Sequence, residues 1–266
     1  MPIWLIIIIL GIVEGITEFL PISSTGHLLI TEKLIGTHQS DLFNVVIQSG
    51  AVIAVIPLFW PRFHQFIYRL GDAATKSYLA KLIVAFGITA AGGLVLVKTG
   101  FKLPTELAPV GWALLIGGIL FVAVETMLRG KKLGSEVTWT VAVAVGIGQL
   151  IAAVFPGASR SGTTILISLL LGLSRPAATE FSFLVSIPTM LAAGASQIHK
   201  AMKHPAADAA PEDWKMLILA TVISAVVSFI AVKWLLRYVQ SHTFTGFGWY
   251  RIVVGLAVLG YVFTHH

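Results

Sequence analysis

The stretch IWLIIIILGIVEGITEFL at residues 3–20 is followed directly by PISSTGH at residues 21–27. The apolar arm ends at this polar break, and only about ten apolar residues follow before the next polar loop. At 1.5 Å per residue, a helix of about ten residues reaches about half of the roughly 30 Å hydrocarbon core of a bilayer. The second arm is therefore too short to cross, and the stretch predicts a re-entrant helical hairpin.

The composition of the chain is that of a membrane protein. Of its 266 residues, 56% are hydrophobic and only 11% are charged, against about a quarter in soluble domains. Because cysteine is absent, disulfides, thiolate metal sites and cysteine nucleophiles are excluded. Residues 1–266 are expected to form one polytopic domain surrounded by membrane lipids. Six apolar blocks are long enough to cross as helices, namely Leu42–Trp60, Leu79–Lys98, Ala108–Leu128, Glu180–His199, Lys215–Arg237 and Phe247–Phe263.

A second broken apolar block covers Val137–Leu173, with its break at PGASRSG, residues 156–162. Its second arm is again too short to cross, which predicts a second re-entrant hairpin. The two blocks align without gaps at an offset of 135 residues, so the chain contains an internal repeat. This alignment pairs Gly11 with Gly146, Glu14 with Gln149, Pro21 with Pro156 and Ser24 with Ser159.

The repeat predicts the fold class, an all-α integral membrane protein with six transmembrane helices and two re-entrant hairpins. Repeat one covers about residues 1–128 and repeat two about residues 137–264. Each half holds one hairpin and three spans, and an odd number of crossings inverts the second half relative to the first. In such inverted repeats the broken helices meet near the midplane, where substrates bind.

The distribution of basic residues predicts the orientation. The basic segments Pro61–Lys81, Arg129–Lys132 and Arg237–Arg251 fall on one side by parity, and the mixed loop His199–Lys215 falls on the other. Positive loops stay in the cytoplasm, so both termini are expected outside. Orientation thus accounts for the net charge of +6, and no nucleic-acid partner is expected.

Two glutamates, Glu14 and Glu18, lie four residues apart in the first apolar arm, and therefore on one face of a helix. Each buried charge costs about 2.5–3.5 kcal/mol at mid-bilayer, and two carboxylates also repel each other. A divalent cation, Mg²⁺ or Ca²⁺, would compensate both costs and could bind phosphate as well. Unseen polar partners or a proton relay are the alternatives.

Hydroxyl groups follow both breaks. At the start of a short helix they would form an anion cradle together with free backbone N–H groups, although helix capping is the alternative. Arg160 at membrane depth indicates a phosphate partner, because its fork matches phosphate oxygens. An ion pair of Arg160 with Glu14 or Glu18 is the compatible alternative. The candidate residues are Ser23, Ser24, Thr25 and His27 after the first break, and Ser159, Ser161 and Thr163 around the second.

Three weaker polar signals lie outside the breaks. Gln48 and Gln149 are candidates for lining the site, and an interhelical hydrogen bond explains either equally well. Glu125 lies near the end of a span and is interpreted as an interfacial residue.

The segments EGITEFLPISSTGH at residues 14–27 and PGASRSG at residues 156–162 resemble the two signatures of the BacA-type undecaprenyl-pyrophosphate phosphatases. The resemblance extends over essentially the whole chain. It implies a bacterial inner-membrane enzyme that hydrolyses a polyprenyl pyrophosphate lipid, recycles the lipid carrier of cell-wall synthesis and is associated with bacitracin resistance. It also implies an active site that faces the outer side.

The resemblance further implies a role for each signature residue. Ser24 attacks the terminal phosphorus, Glu18 or His27 assists proton transfer, and Glu14 with Glu18 holds the cation. Direct attack by water, with His27 as the base, would use the same residues. A transporter or flippase remains the rival class, because inverted repeats with broken helices are a transporter architecture. A homodimer is left as an open alternative.

Overall fold

The fold was analysed in a computed structural model that describes residues 1–101, 106–203 and 213–265. All regular elements in these ranges are helices. They are α1 (Ile3–Thr17), α2 (Ser24–Ile35), α3 (Asp41–Val55), a 3₁₀ turn (Ile56–Phe59), α4 (Trp60–Tyr68), α5 (Ala73–Lys98), α6 (Leu107–Met127), α7 (Trp139–Val154), α8 (Arg160–Leu170), α9 (Arg175–Lys203), α10 (Trp214–Tyr238) and α11 (Thr245–Thr264).

Within the described ranges, six helical segments are long and apolar enough to cross a membrane. In α5, the most apolar stretch is only 22% buried although its mean hydropathy is 2.1, so most of its apolar surface faces outward. The predicted all-α membrane protein with six spans is confirmed. The six segments are Asp41–Tyr68, Ala73–Lys98, Leu107–Met127, Arg175–Ala201, Trp214–Tyr238 and Thr245–Thr264.

Two of the predicted basic loops contain more helix than the sequence indicated. Most of Pro61–Lys81 is helical, in α4 and the start of α5. Pro57 and Pro61 lack an N–H, so the chain tightens into a 3₁₀ turn between α3 and α4 instead of ending the helix. Arg251, taken above as the end of a basic connection, is a fully buried residue of α11.

Two short helix pairs correspond to the two predicted hairpins. The first is α1 with α2, and the second is α7 with α8. With 12 residues in α2 and 11 in α8, each return helix is about 17 Å long, well below the roughly 30 Å of a hydrocarbon core. That both pairs are re-entrant, and that they enter from opposite membrane faces, stays a prediction.

The packing of the two hairpins is reciprocal. Helix α1 packs against α10, as α7 packs against α5. A Cβ atom on Gly11 would lie 2.9 Å from the carbonyl oxygen of Ala220, and one on Gly146 would lie 2.8 Å from that of Ala85. Ala85 and Ala220 are themselves 135 residues apart, so the packing keeps the offset seen in the sequence. These contacts agree with the predicted repeat, whereas its inversion stays a prediction.

The gap-free alignment is wrong at the breaks themselves. Ser23 and Ser159 both have positive φ, 78° and 67°, and both accept a hydrogen bond from a glycine N–H three residues later. They are 136 residues apart, so the chain from Gly146 to Ser159 is one residue longer than the chain from Gly11 to Ser23. The structural counterpart of Ser159 is therefore Ser23, and that of Ser24 is Arg160.

One buried ion pair fixes the end of α6 that lies away from the breaks. Glu125 is 4% exposed and pairs with Arg175 of α9. Its Oε1 also accepts a hydrogen bond of 2.8 Å from the backbone N–H of Phe244. The position of Glu125 near a span end agrees with the interfacial interpretation, but its carboxylate does not reach solvent, because Arg175 from a distant part of the sequence pairs with it in the protein interior.

Candidate active site

A cavity of about 520 Å³ lies between the two breaks and the facing sides of α5, α7 and α9. Its polar end contains Glu18, Gln48, Gln149, Arg160 and hydroxyl groups from both breaks. Of the predicted binding residues, Ser23, Thr25, Ser159 and Gln48 line it together with Ser24. Both breaks therefore contribute to one site.

The first break places Ser24 against Glu18. Ser23 caps α2 in a left-handed backbone conformation, which turns the chain sharply and starts the helix at Ser24. The Oγ of Ser24 then donates a hydrogen bond of 2.5 Å to Oε2 of Glu18, at the end of α1. A hydroxyl this close to a carboxylate is arranged as a nucleophile beside its base.

The second break supplies a guanidinium to the same carboxylate. Nη2 of Arg160 donates to Oε1 of Glu18, so Glu18 is bonded on one oxygen by each half of the chain. This is the ion pair that the sequence left open as an alternative for Arg160. Since Arg160 also lines the cavity, an incoming phosphate can compete with Glu18 for it.

Glu14 lies one helical turn before Glu18 and is fully buried. Neither of its carboxylate oxygens has a hydrogen-bond partner among the described residues. Glu18, Gln48 and Arg160 are the polar side chains that interact with it electrostatically.

The pair of glutamates fits a hard cation that keeps several water ligands. Two orphaned oxygens on Glu14 beside a second carboxylate are a suitable donor set for Mg²⁺, which commonly takes one or two carboxylates plus phosphate and water. Over the described ranges, no group of three or more His, Cys, Asp or Glu residues could hold a metal ion. The site therefore lacks a complete protein cage, and Ca²⁺, which needs more ligands, fits less well.

His27 is turned away from the cavity. Its Nδ1 lies 2.7 Å from the carbonyl oxygen of Ser23, and its Nε2 lies 2.8 Å from the hydroxyl of Tyr250 in α11. The two rings are also nearly parallel, with their centroids 5.6 Å apart. His27 is not among the cavity-lining residues, so its role as a base stays a prediction that this geometry does not favour.

Two further candidates after the second break also point elsewhere. The Oγ of Ser161 donates to the carbonyl oxygen of Leu20 at 3.1 Å, and the Oγ1 of Thr163 bonds the carbonyl oxygen of Ala158 at 3.4 Å. Neither lines the cavity. The contact of Ser161 holds the second break against the first, whereas that of Thr163 stays within the second break. Direct substrate binding by Ser161 and Thr163 stays a prediction.

Gln149 contributes more to the cavity than the sequence indicated. It lines the cavity and is 2% exposed, and neither its Oε1 nor its Nε2 has a partner among the described residues. An interhelical hydrogen bond is therefore not its role in this structure. Its alignment with Glu14 was the available signal, since both positions now hold a buried polar group without a partner.

Beyond this polar end, the cavity continues as an apolar groove. Apolar area makes up most of its lining, and the side chains there are mostly small. A long hydrocarbon chain would fit such a surface, since it needs apolar contact and no polar partners. The groove-lining residues include Ala90, Gly93 and Leu94 of α5, Ala153 of α7, and Met190 and Ala193 of α9.

Comparison with known proteins gives one family over nearly the whole chain. The family profile described as "Bacitracin resistance protein BacA" matches residues 7–257. An undecaprenyl-diphosphatase of Rhizobium johnstonii is 52% identical over 253 residues, which cover 95% of this chain and 94% of that protein. Undecaprenyl-diphosphatases of Xanthomonas oryzae and Xylella fastidiosa are 47% and 46% identical over 95% of this chain, covering 94% and 96% of those proteins.

Proposed function

Because the chain belongs to the family of the bacitracin resistance protein BacA, we propose that it hydrolyses undecaprenyl pyrophosphate to undecaprenyl phosphate and inorganic phosphate. This reaction would recycle the lipid carrier of cell-wall synthesis. The observation that carries the proposal is the contact of Glu18 with both Ser24 and Arg160, at the polar end of an otherwise apolar cavity. Ser24 as the nucleophile, Glu18 as the base and the guanidinium of Arg160 as the phosphate-binding group then lie beside a groove for the lipid chain.

The proposed reaction begins with an exchange of partners by Arg160. When the pyrophosphate enters, the guanidinium leaves Glu18 and binds the phosphate oxygens with its fork. The carboxylate of Glu18 is then free to accept the proton of Ser24 while Oγ attacks the terminal phosphorus. The bond from phosphorus to the bridging oxygen breaks, and undecaprenyl phosphate leaves with that oxygen.

The second step regenerates the enzyme. Glu18 first passes the serine proton to the departing undecaprenyl phosphate. A water molecule then gives a proton to Glu18 and attacks the phosphorus of the phosphoserine at residue 24. The bond from phosphorus to Oγ breaks, inorganic phosphate leaves, and Glu18 returns the proton to Oγ, which restores the hydroxyl. Glu18 is the proton acceptor we propose in preference to His27, because only Glu18 contacts Ser24. Attack by water on the substrate itself, with the same residues around it, is the alternative path.

Glu14 and Glu18 are the residues we propose to hold a divalent cation, with Mg²⁺ favoured by the small number of protein ligands. When bound, such a cation would neutralise charge on the phosphate oxygens during transfer. The buried oxygens of Glu14, which lack hydrogen-bond partners, support this assignment. The residues of the chain itself supply the nucleophile, the base and the guanidinium.

The location and orientation we propose are the bacterial inner membrane, both termini outside and an active site that faces the outer side. The groove follows the C-terminal halves of α5 and α9, from Phe86 to Val97 and from Thr189 to Ser196. In the topology derived from loop charges, both of these halves lead outward. An opening on that side would receive a pyrophosphate head group from the outer leaflet.

Phosphate release decides between an enzyme and a carrier. Purified protein is given a polyprenyl pyrophosphate, with Mg²⁺ or with excess chelator, and inorganic phosphate is measured. We expect release that depends on the cation. Transfer of unaltered lipid across a vesicle membrane without phosphate release would instead support the transporter or flippase.

A further inference from the structure

Arg251 is a buried arginine that the proposed reaction does not use. It lies in α11, is 1% exposed, and has no carboxylate within ion-pair distance in the described ranges. A buried guanidinium without an acid partner is costly unless its N–H groups are satisfied in another way. Its bonding partners therefore indicate why the protein keeps it.

The guanidinium donates only to backbone carbonyl oxygens, and these come from both breaks and from α6. The oxygens at the breaks lie where a helix stops, so they have no helical partner and are free to accept from a side chain, whereas those of α6 lie within the helix. The acceptors are Pro21 at 3.1 Å from Nη1, Ala113, Gly157 and Ala158 at 3.0, 3.3 and 3.1 Å from Nη2, and Leu114 at 3.5 Å from Nε.

Two glycines make room for this group. A Cβ atom on Gly162 would lie 2.8 Å from Nη1 of Arg251, and one on Gly117 would collide with the guanidinium. On a further side, Cζ of Arg251 lies 5.9 Å from the centre of the Phe121 ring. The guanidinium is therefore closely enclosed by α6, α8 and the two breaks, and these contacts fix its position.

The bond to Ala158 has a consequence for the cavity. In a trans peptide, C=O and N–H point in opposite directions. Because the carbonyl of Ala158 points to Arg251, the N–H of Ser159 points away from α11, and Ser159 lines the cavity. Arg160, which follows directly, carries the guanidinium that binds Glu18.

We propose that Arg251 is a positioning residue that ties the two breaks together through their carbonyl oxygens and thereby aims the Ser159 N–H and Arg160 at the phosphate. It does not bind the substrate, since it is not among the cavity-lining residues and its donors are directed at the backbone. The assignment rests on the proposed function where it names the phosphate. The link between the two breaks is independent of that function.

Activity and chemical rescue test the positioning role. Arg251→Ala should lower kcat for phosphate release about a hundredfold, the order of loss that misplaced catalytic groups cause, with a smaller change in KM because the lipid chain still binds. Guanidinium chloride at low millimolar concentration should restore part of kcat, whereas ammonium chloride at the same concentration should not. Wild-type kcat in Arg251→Ala, or equal rescue by both salts, would overturn the proposal.

Two further variants separate positioning from folding. Arg251→Lys keeps the charge but loses the planar fork, so its kcat should remain well below that of the wild type. Full activity of Arg251→Lys contradicts the role of the fork. Arg62→Ala is the matched control, because Arg62 is half-exposed and pairs with Glu180, away from the breaks. It should keep its kcat and show no response to guanidinium.

A distance measurement tests the link without any activity. The chain has no cysteine, so Thr25→Cys and Phe155→Cys together give one nitroxide label beside each break. The distance distribution between the labels should broaden when Arg251→Ala is added, and guanidinium should narrow it again. An unchanged distribution refutes the link. If this broadening is observed and the wild-type protein releases no phosphate from a polyprenyl pyrophosphate, the proposed function alone is refuted.

Discussion

Replacing Ser24 by alanine distinguishes attack by serine from attack by water, because the two paths predict decreases in kcat of different size. If the Oγ of Ser24 attacks phosphorus, the substitution removes the reacting atom, and kcat should fall by about 10⁴-fold or more. If water attacks, the enzyme loses one charge-assisted hydrogen bond, the 2.5 Å contact with Glu18. Such a bond contributes about 1.5–3 kcal/mol, or about 10- to 150-fold in rate.

The neighbouring Ser23 provides the control, because it is the counterpart of Ser159 and caps α2. Ser23→Ala should cost about 1 kcal/mol of stability through the lost cap, and so should Ser159→Ala. Each should slow turnover only moderately. Both controls remove a cap and a cavity hydroxyl without removing the proposed nucleophile, so they measure the cost of those two losses.

The assay is phosphate release from a polyprenyl pyrophosphate in detergent, together with thermal unfolding of each variant. We expect Ser24→Ala to be at least about a hundredfold slower than either cap variant while unfolding at a similar temperature. Substrate binding should be largely intact. Activity of Ser24→Ala within about 150-fold of the wild type would refute attack by serine and favour attack by water.

Three other predictions concern the cation, the guanidinium and the membrane. Glu14→Gln should lower turnover and weaken its dependence on Mg²⁺ together, and full wild-type activity in excess chelator would contradict the cation site. Arg160→Lys should lower kcat about tenfold or more, because a point charge replaces the bidentate fork; kinetics equal to the wild type would exclude that role. In right-side-out vesicles, an impermeant thiol reagent should label His38→Cys but not Lys131→Cys, and an impermeant pyrophosphate should be hydrolysed. Labelling of Lys131→Cys alone, or hydrolysis only in inverted vesicles, would reverse the orientation.

Patterns along the chain were sufficient for the elements and for much of the site. A transmembrane span is recognised from about twenty consecutive apolar residues. The span must be a helix because its backbone N–H and C=O groups can only hydrogen-bond to each other in hydrocarbon. Glu18 and Arg160 stood out for the related reason that charge is rare within an apolar block. Their pairing could be foreseen as an alternative because each needed an opposite charge.

Sequence patterns did not show the contacts that position His27 and Arg251. The sequence left His27 as a candidate base, but the carbonyl oxygen of Ser23 and the hydroxyl of Tyr250 hold its ring outside the cavity. It also placed Arg251 in a basic connection, whereas that side chain bonds carbonyl oxygens at both breaks. Every residue carries a carbonyl, so no residue type marks such an acceptor.

The sequence by itself determined six spans, two interrupted helices, a repeat at an offset of 135 residues and the side chains gathered at the two breaks. The tertiary structure alone decided that Ser24 has Arg160 as its counterpart, and that one carboxylate, Glu18, contacts both. The physical reason is one additional residue between Gly146 and Ser159, compared with the stretch from Gly11 to Ser23. One additional residue there is silent in a pattern of apolar blocks, yet it shifts every following residue by about 100° around the helix axis and so determines which side chain meets Glu18.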